Sequence, residues 1–255
     1  MKLEDVKSIG ILGAGVMGGG IAQSAILAGF NVMVRDLTDE ICDKAKDTII
    51  NGRFGIKGGV EKGKTTQEEM DQALSRLKFT TKVEDLKDCD LVIEAIGGGP
   101  GQLENKDLKL QIFKELEGIV KKDAVFASNT SYFTLADLAV ATNRKNQFVG
   151  MHLFSPANIM KLVEVGYTAD TSEETIKLIE DLSVKMGKTP VRVKDVPGDT
   201  GFIANRIFRA AAQEAMKIVN EGVATAEDVN TAMTLGFRWP VGPLAMGMGA
   251  RSGWK

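Results

Sequence analysis

The sequence predicts an α/β protein: a mostly parallel sheet covered by helices on both faces, followed by a small all-helical region. Three observations carry this. Short apolar, β-branched runs alternate with longer stretches of helical spacing through most of the 255 residues. A glycine-rich turn follows the first of those runs. Beyond Gly201 only helical periodicity remains.

Strand-like runs occur at 7–12 (KSIGIL), 31–35 (NVMVR), 90–96 (DLVIEAI), 124–127 (AVFA), 147–154 (QFVGMHLF), 160–165 (MKLVEV) and 189–194 (TPVRVK). The stretches between them open with hydroxyl residues suited to capping a helix. Thr65 with Glu68, Thr134 with Asp137 and Thr171 with Glu174 each fit the pattern that satisfies orphan amides at a helix start. Helices are expected over 202–221 and, behind Thr225, over 226–235. Pro197, Gly198 and Gly201 in KDVPGDTG interrupt both periods. The expected division is therefore a sheet domain at 1–194 and a helical domain at 195–255.

Composition excludes several classes. Apolar residues at 44% and charged residues at 26% describe an ordinary soluble chain. A net charge of −2 gives no strong field for nucleic acid or an anionic membrane. The amino terminus carries no signal-peptide pattern. No run reaches the roughly 18 apolar residues of a membrane span. Cys42 and Cys89 are far apart and share no metal-ligand spacing, so no metal is expected. They read as reduced thiols of a cytoplasmic protein.

The glycine turn is Gly13-Ala14-Gly15-Val16-Met17-Gly18, a G-x-G-x-x-G that opens an apolar helix ending near Gly29. Gly13 permits a tight turn, Gly15 lets backbone approach a pyrophosphate, and Gly18 lets helix and strand pack closely. The helix start, Val16 and Met17, then meets phosphates with free amides and a positive dipole. The second strand ends at Asp36, 21 residues past Gly15, where a carboxylate can accept from the adenosine ribose. Such an acid repels a 2′-phosphate, which favours NAD over NADP. Arg35 should point to the opposite face of its strand. The sheet is thus expected to be Rossmann-type, with NAD as cofactor. A purely structural glycine turn is the alternative.

His152 is the only histidine in the chain and ends an apolar run. SPAN supplies a turn, and the next run carries Glu164, so the two side chains can meet across a strand pair. A carboxylate on one ring nitrogen sets the tautomer and leaves the other free to exchange a proton with substrate. Oxidising an alcohol needs such a base. A lone histidine among apolar residues also reads as a packing residue; the dinucleotide turn upstream favours the catalytic reading.

ILGAGVMGGGIA, FASNTSYFTLADLA, GMHLFSPANIMKLVEV, KDVPGDTGFIANRI and AMTLGFRWPVGPL stand in the order found in L-3-hydroxyacyl-CoA dehydrogenases, a resemblance spanning about residues 5–245. The resemblance implies NAD-dependent, reversible oxidation of an (S)-3-hydroxyacyl-CoA to the 3-oxoacyl-CoA. It implies His152 as general base and Glu164 as its orienting partner. Ser131 would hydrogen-bond the reacting oxygen or hold the substrate near the nicotinamide, and Asn205 would contact the acyl oxygens. Glu104 and Lys109 match positions lining the NAD site, and Lys62 and Lys64 fall where the family contacts coenzyme A. A homodimer through the carboxy-terminal domain is also implied.

This chain departs from the family pattern in places. Phe154-Ser155-Pro156 replaces the frequent F-N-P, as in the multifunctional β-oxidation enzymes. Gly97–Gln102 reads as an insertion, expected to form a flap near the nicotinamide, and a shorter extension lies around Asp199-Thr200. The chain also stops soon after WPVGPL, where family members usually continue, which would expose apolar surface of 202–221 unless a partner covers it. Two other readings stay open: a dehydrogenase of small hydroxy acids on the same scaffold, and a non-catalytic NAD-binding relative.

Overall fold

A computed structural model describes residues 1–97, 104–196 and 201–247. The chain forms two compact units, Met1–Thr200 and Gly201–Lys255. The first is built from β1 (Ser8–Leu12), α1 (Val16–Leu27), β2 (Asn31–Arg35), α2 (Asp39–Asn51), α3 (Ile56–Glu61), α4 (Gln67–Ser75), β3 (Leu77–Thr80) and β4 (Leu91–Glu94). It continues through α5 (Lys106–Ile119), β5 (Val125–Ser128), α6 (Leu135–Ala139), β6 (Phe148–Leu153), β7 (Leu162–Tyr167), α7 (Glu173–Lys185) and β8 (Thr189–Lys194).

The eight strands form one sheet in the order β3-β2-β1-β4-β5-β6-β7-β8. All neighbours pair in parallel except β6 and β7, which run antiparallel with His152 opposite Glu164. The chain turns one way from β1 to β2 and the other way to β4, which makes the β1–β4 boundary the switch point where such sheets bind ligands. β4, β5 and β6 are buried along their whole length. This explains their continuous apolar runs, since helices cover both faces. Edge strand β8 is largely exposed, and its Pro190, Arg192 and Lys194 discourage further pairing.

All seven expected strands form, β2 and β8 with the expected bounds and the others with an end shifted by a residue or two. The shift is largest at β7, which starts at Leu162 because Met160 is drawn into the preceding turn by its amide bond to Pro156 O (3.0 Å). The strand the sequence reading lacked is β3. Its four residues follow a helix directly and gain strand geometry only from pairing with β2, Val32 opposite Leu77. Two caps also move by one residue. Thr66 caps α4, its hydroxyl accepting from Glu69 N while Glu69 reaches back to Thr66 N (2.7 Å). Ser172 caps α7, because the Thr171 hydroxyl is already engaged with Thr168 N and Phe148 O. Thr134 and Thr225 cap as expected.

The second unit contains α8 (Ala204–Asn220), α9 (Ala226–Gly236) and α10 (Pro243–Gly247) packed on one another. Asn230 of α9 caps α10, its Oδ1 accepting from Leu244 N (3.0 Å) and Ala245 N (3.3 Å). The GGGPGQ and Asp199-Thr200 segments lie outside the described residues, apart from Gly97, as does the chain after Gly247.

Candidate active site

The glycine turn is a backbone-made site. Gly13 has φ +96°, a conformation that other residues rarely adopt, and a Cβ there would sit 2.8 Å from Ala95 O. A Cβ on Gly18 would fall 1.7 Å from Gly13 O, so helix α1 can lie against β1 only with glycine at that position. Gly15 differs: a Cβ would meet nothing within 4 Å. Gly15 is also the N-cap of α1 and supplies no side-chain cap, so no side chain claims the first amides of the helix. Open space over uncapped amides is the feature a pyrophosphate fits. Asp36 closes the turn from β2, accepting from Ala14 N (2.6 Å) and Leu37 N (2.7 Å). A carboxylate has about four acceptor sites, so capacity remains for a ribose hydroxyl. Val32 and Val34 face the core and Arg35 alternates to the other face, half-buried, with no ion pair to Asp36.

A side-chain site stands at the carboxyl ends of β5 and β6. His152 Nδ1 lies 2.7 Å from Glu164 Oε2, and its Nε2 lies 2.9 Å from Ser131 Oγ. His152 is 2% exposed and Glu164 0%. An ionised carboxylate only accepts, so the Nδ1 proton points at Glu164 and Nε2 is left as the acceptor, which Ser131 Oγ–H fills. Asn129 Oδ1 accepts from Leu153 N (2.8 Å), tying the strand of the histidine to the loop of the serine.

Behind Ser131 runs a line of buried charge. Glu104 Oε1 accepts from Ser131 N (2.8 Å), and Glu104 Oε2 lies 3.1 Å from Lys109 Nζ. Lys109, 2% exposed, also donates to Glu94 Oε1 and to Ile96 O (2.8 Å). Glu94, fully buried, accepts Ile96 N (2.7 Å) on one oxygen and Ser128 Oγ (2.6 Å) on the other. Ser128 Oγ in turn accepts Thr130 N (3.2 Å). Burying these charges is tolerable only because each meets an opposite charge or several hydrogen bonds.

The connection from β6 to β7 is clamped on two sides. A Cβ on Gly20 of α1 would meet Ala157 Cβ at 3.0 Å and Asn158 N at 3.1 Å, so the turn lies directly on the dinucleotide helix. Asn158 Nδ2 donates to Gln23 Oε1 (3.0 Å) and Phe54 O (2.8 Å). From the other side Lys188 Nζ donates to Ala157 O (2.6 Å) and Met160 O (2.9 Å). Burial, with the charge of Lys161 nearby, lowers the Lys188 ammonium from its ordinary 10.5 to about 8.

The structure thus brings His152, Glu164, Ser131, Glu104 and Lys109 into one cluster. Lys109 sits behind Glu104, its ammonium turned toward Glu94 and Ile96. Lys62 and Lys64 lie apart from it, exposed in the turn after α3. Asn205 belongs to the helical unit, in the first turn of α8. Sequence reasoning passed over Glu94, Ser128, Gln23, Asn158 and Lys188. Glu94 carried a usable signal, a lone acid ending an otherwise apolar strand; the others look like ordinary polar residues until their partners are known. Among the described residues no cluster of His, Cys, Asp and Glu could hold a metal ion, and no helix is long and apolar enough to cross a membrane.

A Rossmann-type sheet with an open glycine turn and a hydrogen-bonded imidazole–carboxylate pair at the same strand ends fits the class of NAD-dependent oxidoreductases. Comparison narrows it. The model of the 3-hydroxyacyl-CoA dehydrogenase NAD-binding domain matches residues 8–196, and that of the family's C-terminal domain matches 201–250. A probable 3-hydroxybutyryl-CoA dehydrogenase of Deinococcus radiodurans is 42% identical over 93% of this chain and 81% of its own. The mitochondrial hydroxyacyl-coenzyme A dehydrogenase of Sus scrofa is 38% identical over 94% and 75%. The crystal structure of (S)-3-hydroxybutyryl-CoA dehydrogenase from Ralstonia eutropha superposes with TM-score 0.87 at 39% identity, covering 95% of this chain and 81% of that one. The chain belongs to the 3-hydroxyacyl-CoA dehydrogenase family, and its reaction is NAD-dependent oxidation of a 3-hydroxyacyl-CoA to the 3-oxoacyl-CoA.

Proposed function

We propose that His152 is the acid–base catalyst of this reaction, oriented by Glu164 and assisted by Ser131. The observation that carries this is the two-sided bonding of the one imidazole, carboxylate on Nδ1 and hydroxyl on Nε2. NAD, held at Gly13, Gly15, Val16, Met17, Gly18 and Asp36, supplies the hydride acceptor when bound. His152 Nε2 takes the proton of the substrate hydroxyl as the carbon-bound hydrogen leaves as hydride. The imidazolium so formed is stabilised by the buried Glu164 carboxylate, and in the reverse direction the same Nε2 returns the proton. Ser131 Oγ, within reach of Nε2, bonds the reacting oxygen and holds it in line. Asn205 is assigned to the acyl oxygens, Glu104 to the nicotinamide end of the cofactor site with Lys109 behind it, and the exposed Lys62 and Lys64 to the CoA phosphates. We also propose a cytoplasmic homodimer formed through the carboxy-terminal unit. Its exposed apolar residues, Ile207, Met216, Leu235 and Phe237, support that reading.

The test is steady-state turnover with NADH. Acetoacetyl-CoA should be reduced efficiently and free acetoacetate barely at all, with a series of longer 3-oxoacyl-CoA substrates setting chain-length preference. Equal rates with the free acid would favour a small hydroxy-acid dehydrogenase, and NADH binding without any turnover a non-catalytic relative.

A further inference from the structure

Lys109 stands between the buried Glu94 and the partly exposed Glu104, and the two acids hold it unequally. Glu94 receives a short, hydrogen-bonded contact from the ammonium, reinforced by Ile96 O on the same donor. Glu104 lies 3.1 Å away as an ion pair without hydrogen-bond geometry, leaving its buried Oε2 with no hydrogen-bond partner. Glu94 has no other cation to neutralise among the described residues; its remaining bonds come from the neutral Ser128 hydroxyl and Ile96 amide. Counted together, one ammonium and two carboxylates leave the group with one net negative charge. That charge resides on Glu104, the member nearest the reacting groups, bonded to Ser131 N and 13% exposed on its side chain while Glu94 is sealed off.

We infer that Glu94, by taking up the Lys109 ammonium, leaves the charge of Glu104 uncompensated and so tunes the site toward the oxidised, cationic nicotinamide over the neutral reduced one. This rests on the proposed placing of the nicotinamide beside Ser131 and His152. The physical reason is direct. NAD⁺ and NADH share every atom of the adenosine and pyrophosphate, so contacts at the glycine turn cannot tell them apart. A fixed charge at the nicotinamide end can, and in a site partly closed to water it is weakly screened. Glu94 is then a positioning residue acting through Lys109 and Glu104. Its effect belongs to the choice between cofactor oxidation states and is separable from overall affinity.

The experiment is equilibrium binding of NADH by fluorescence and of NAD⁺ by competition, on the wild-type protein and on Glu94→Gln. The glutamine keeps the shape and can still accept from Lys109, but the trio becomes neutral. The ratio Kd(NAD⁺)/Kd(NADH) should rise roughly tenfold, the scale of one unit charge in a partly screened site, with the NADH affinity little changed. A ratio unchanged within about twofold, with both nucleotides bound, would overturn the inference. If Glu94→Gln does not fold, Glu104→Gln removes the same unit of charge nearer the ring and must raise the ratio in the same direction; no rise there overturns it equally. Failure of the underlying reading looks different: the wild-type protein itself would then bind neither nucleotide or show no turnover.

Discussion

In the proposed reading, the glycine turn after β1 and the charged cluster at the ends of β4 to β7 serve one reaction by opposite means. At the turn, function comes from missing atoms: Gly13, Gly15 and Gly18 have no side chain where one would block the fold or the ligand. At the cluster, function comes from added groups, with His152, Glu164, Ser131, Glu104, Lys109 and Glu94 linked by hydrogen bonds and ion pairs. The first region should therefore fail when atoms are added and the second when charge or a proton acceptor is removed. Binding and chemistry should then separate by region.

The largest effect tests the second region. His152→Ala should lower kcat by about 10²–10⁴ while leaving NADH binding close to wild type. Glu164→Gln, which keeps the shape but no longer stabilises the imidazolium, should lower kcat less. Its loss should be greatest where the imidazolium must form. Near-normal turnover in His152→Ala would sink the assignment; a collapse of NADH binding in that variant would sink the separation.

Next come two substitutions in the turn that share a chemistry and differ in geometry. Gly18→Ala forces a Cβ to 1.7 Å from Gly13 O. It should destabilise the fold by about 1–3 kcal/mol, measured by denaturant unfolding, as well as weaken NADH binding. Gly15→Ala meets open space. Its stability should stay near wild type while NADH affinity falls by roughly tenfold, about 1.4 kcal/mol, because the methyl occupies the pyrophosphate approach. If the two variants lost stability alike, the turn would be structural only.

The smallest effect concerns the clamp joining the regions. Lys188 is held near pKa 8 in the fold against an ordinary 10.5. Between those values the unfolded chain binds more protons than the folded one, so the contribution of Lys188 to stability rises with pH there and is flat below about 8. The unfolding free energy of wild type relative to Lys188→Met should therefore increase by about 2 kcal/mol from pH 7 to pH 10. Cys42 and Cys89, whose thiols burial pushes up, act in the opposite direction but cancel in the comparison. A difference that stays flat with pH would mean that the ammonium keeps its water.

The two regions were also unequally legible. G-x-G-x-x-G followed by Asp36 is local: the turn, helix start and strand end lie within 24 residues, and each glycine does its work through its own backbone. His152 and Glu164 were legible for a similar reason, since a short connection between two strands puts them opposite each other. Lys109, Glu94 and Ser128 come from three separate segments, and nothing in KDLK or VIEA says which acid an ammonium will meet. Resemblance alone placed Glu104 and Lys109 near the cofactor; that Lys109 faces inward to Glu94 came from the coordinates.

By itself the sequence determined the alternation of strand and helix, the nucleotide turn and the one imidazole with its acid, because periodicity, backbone freedom and near-neighbour pairing act over short distances along the chain. Only tertiary structure decided β3, the caps at Thr66 and Ser172, the pairing of buried charges and the clamp of Lys188 and Asn158. Each of those depends on which distant group occupies the same few ångströms, and burial then makes that choice costly to alter.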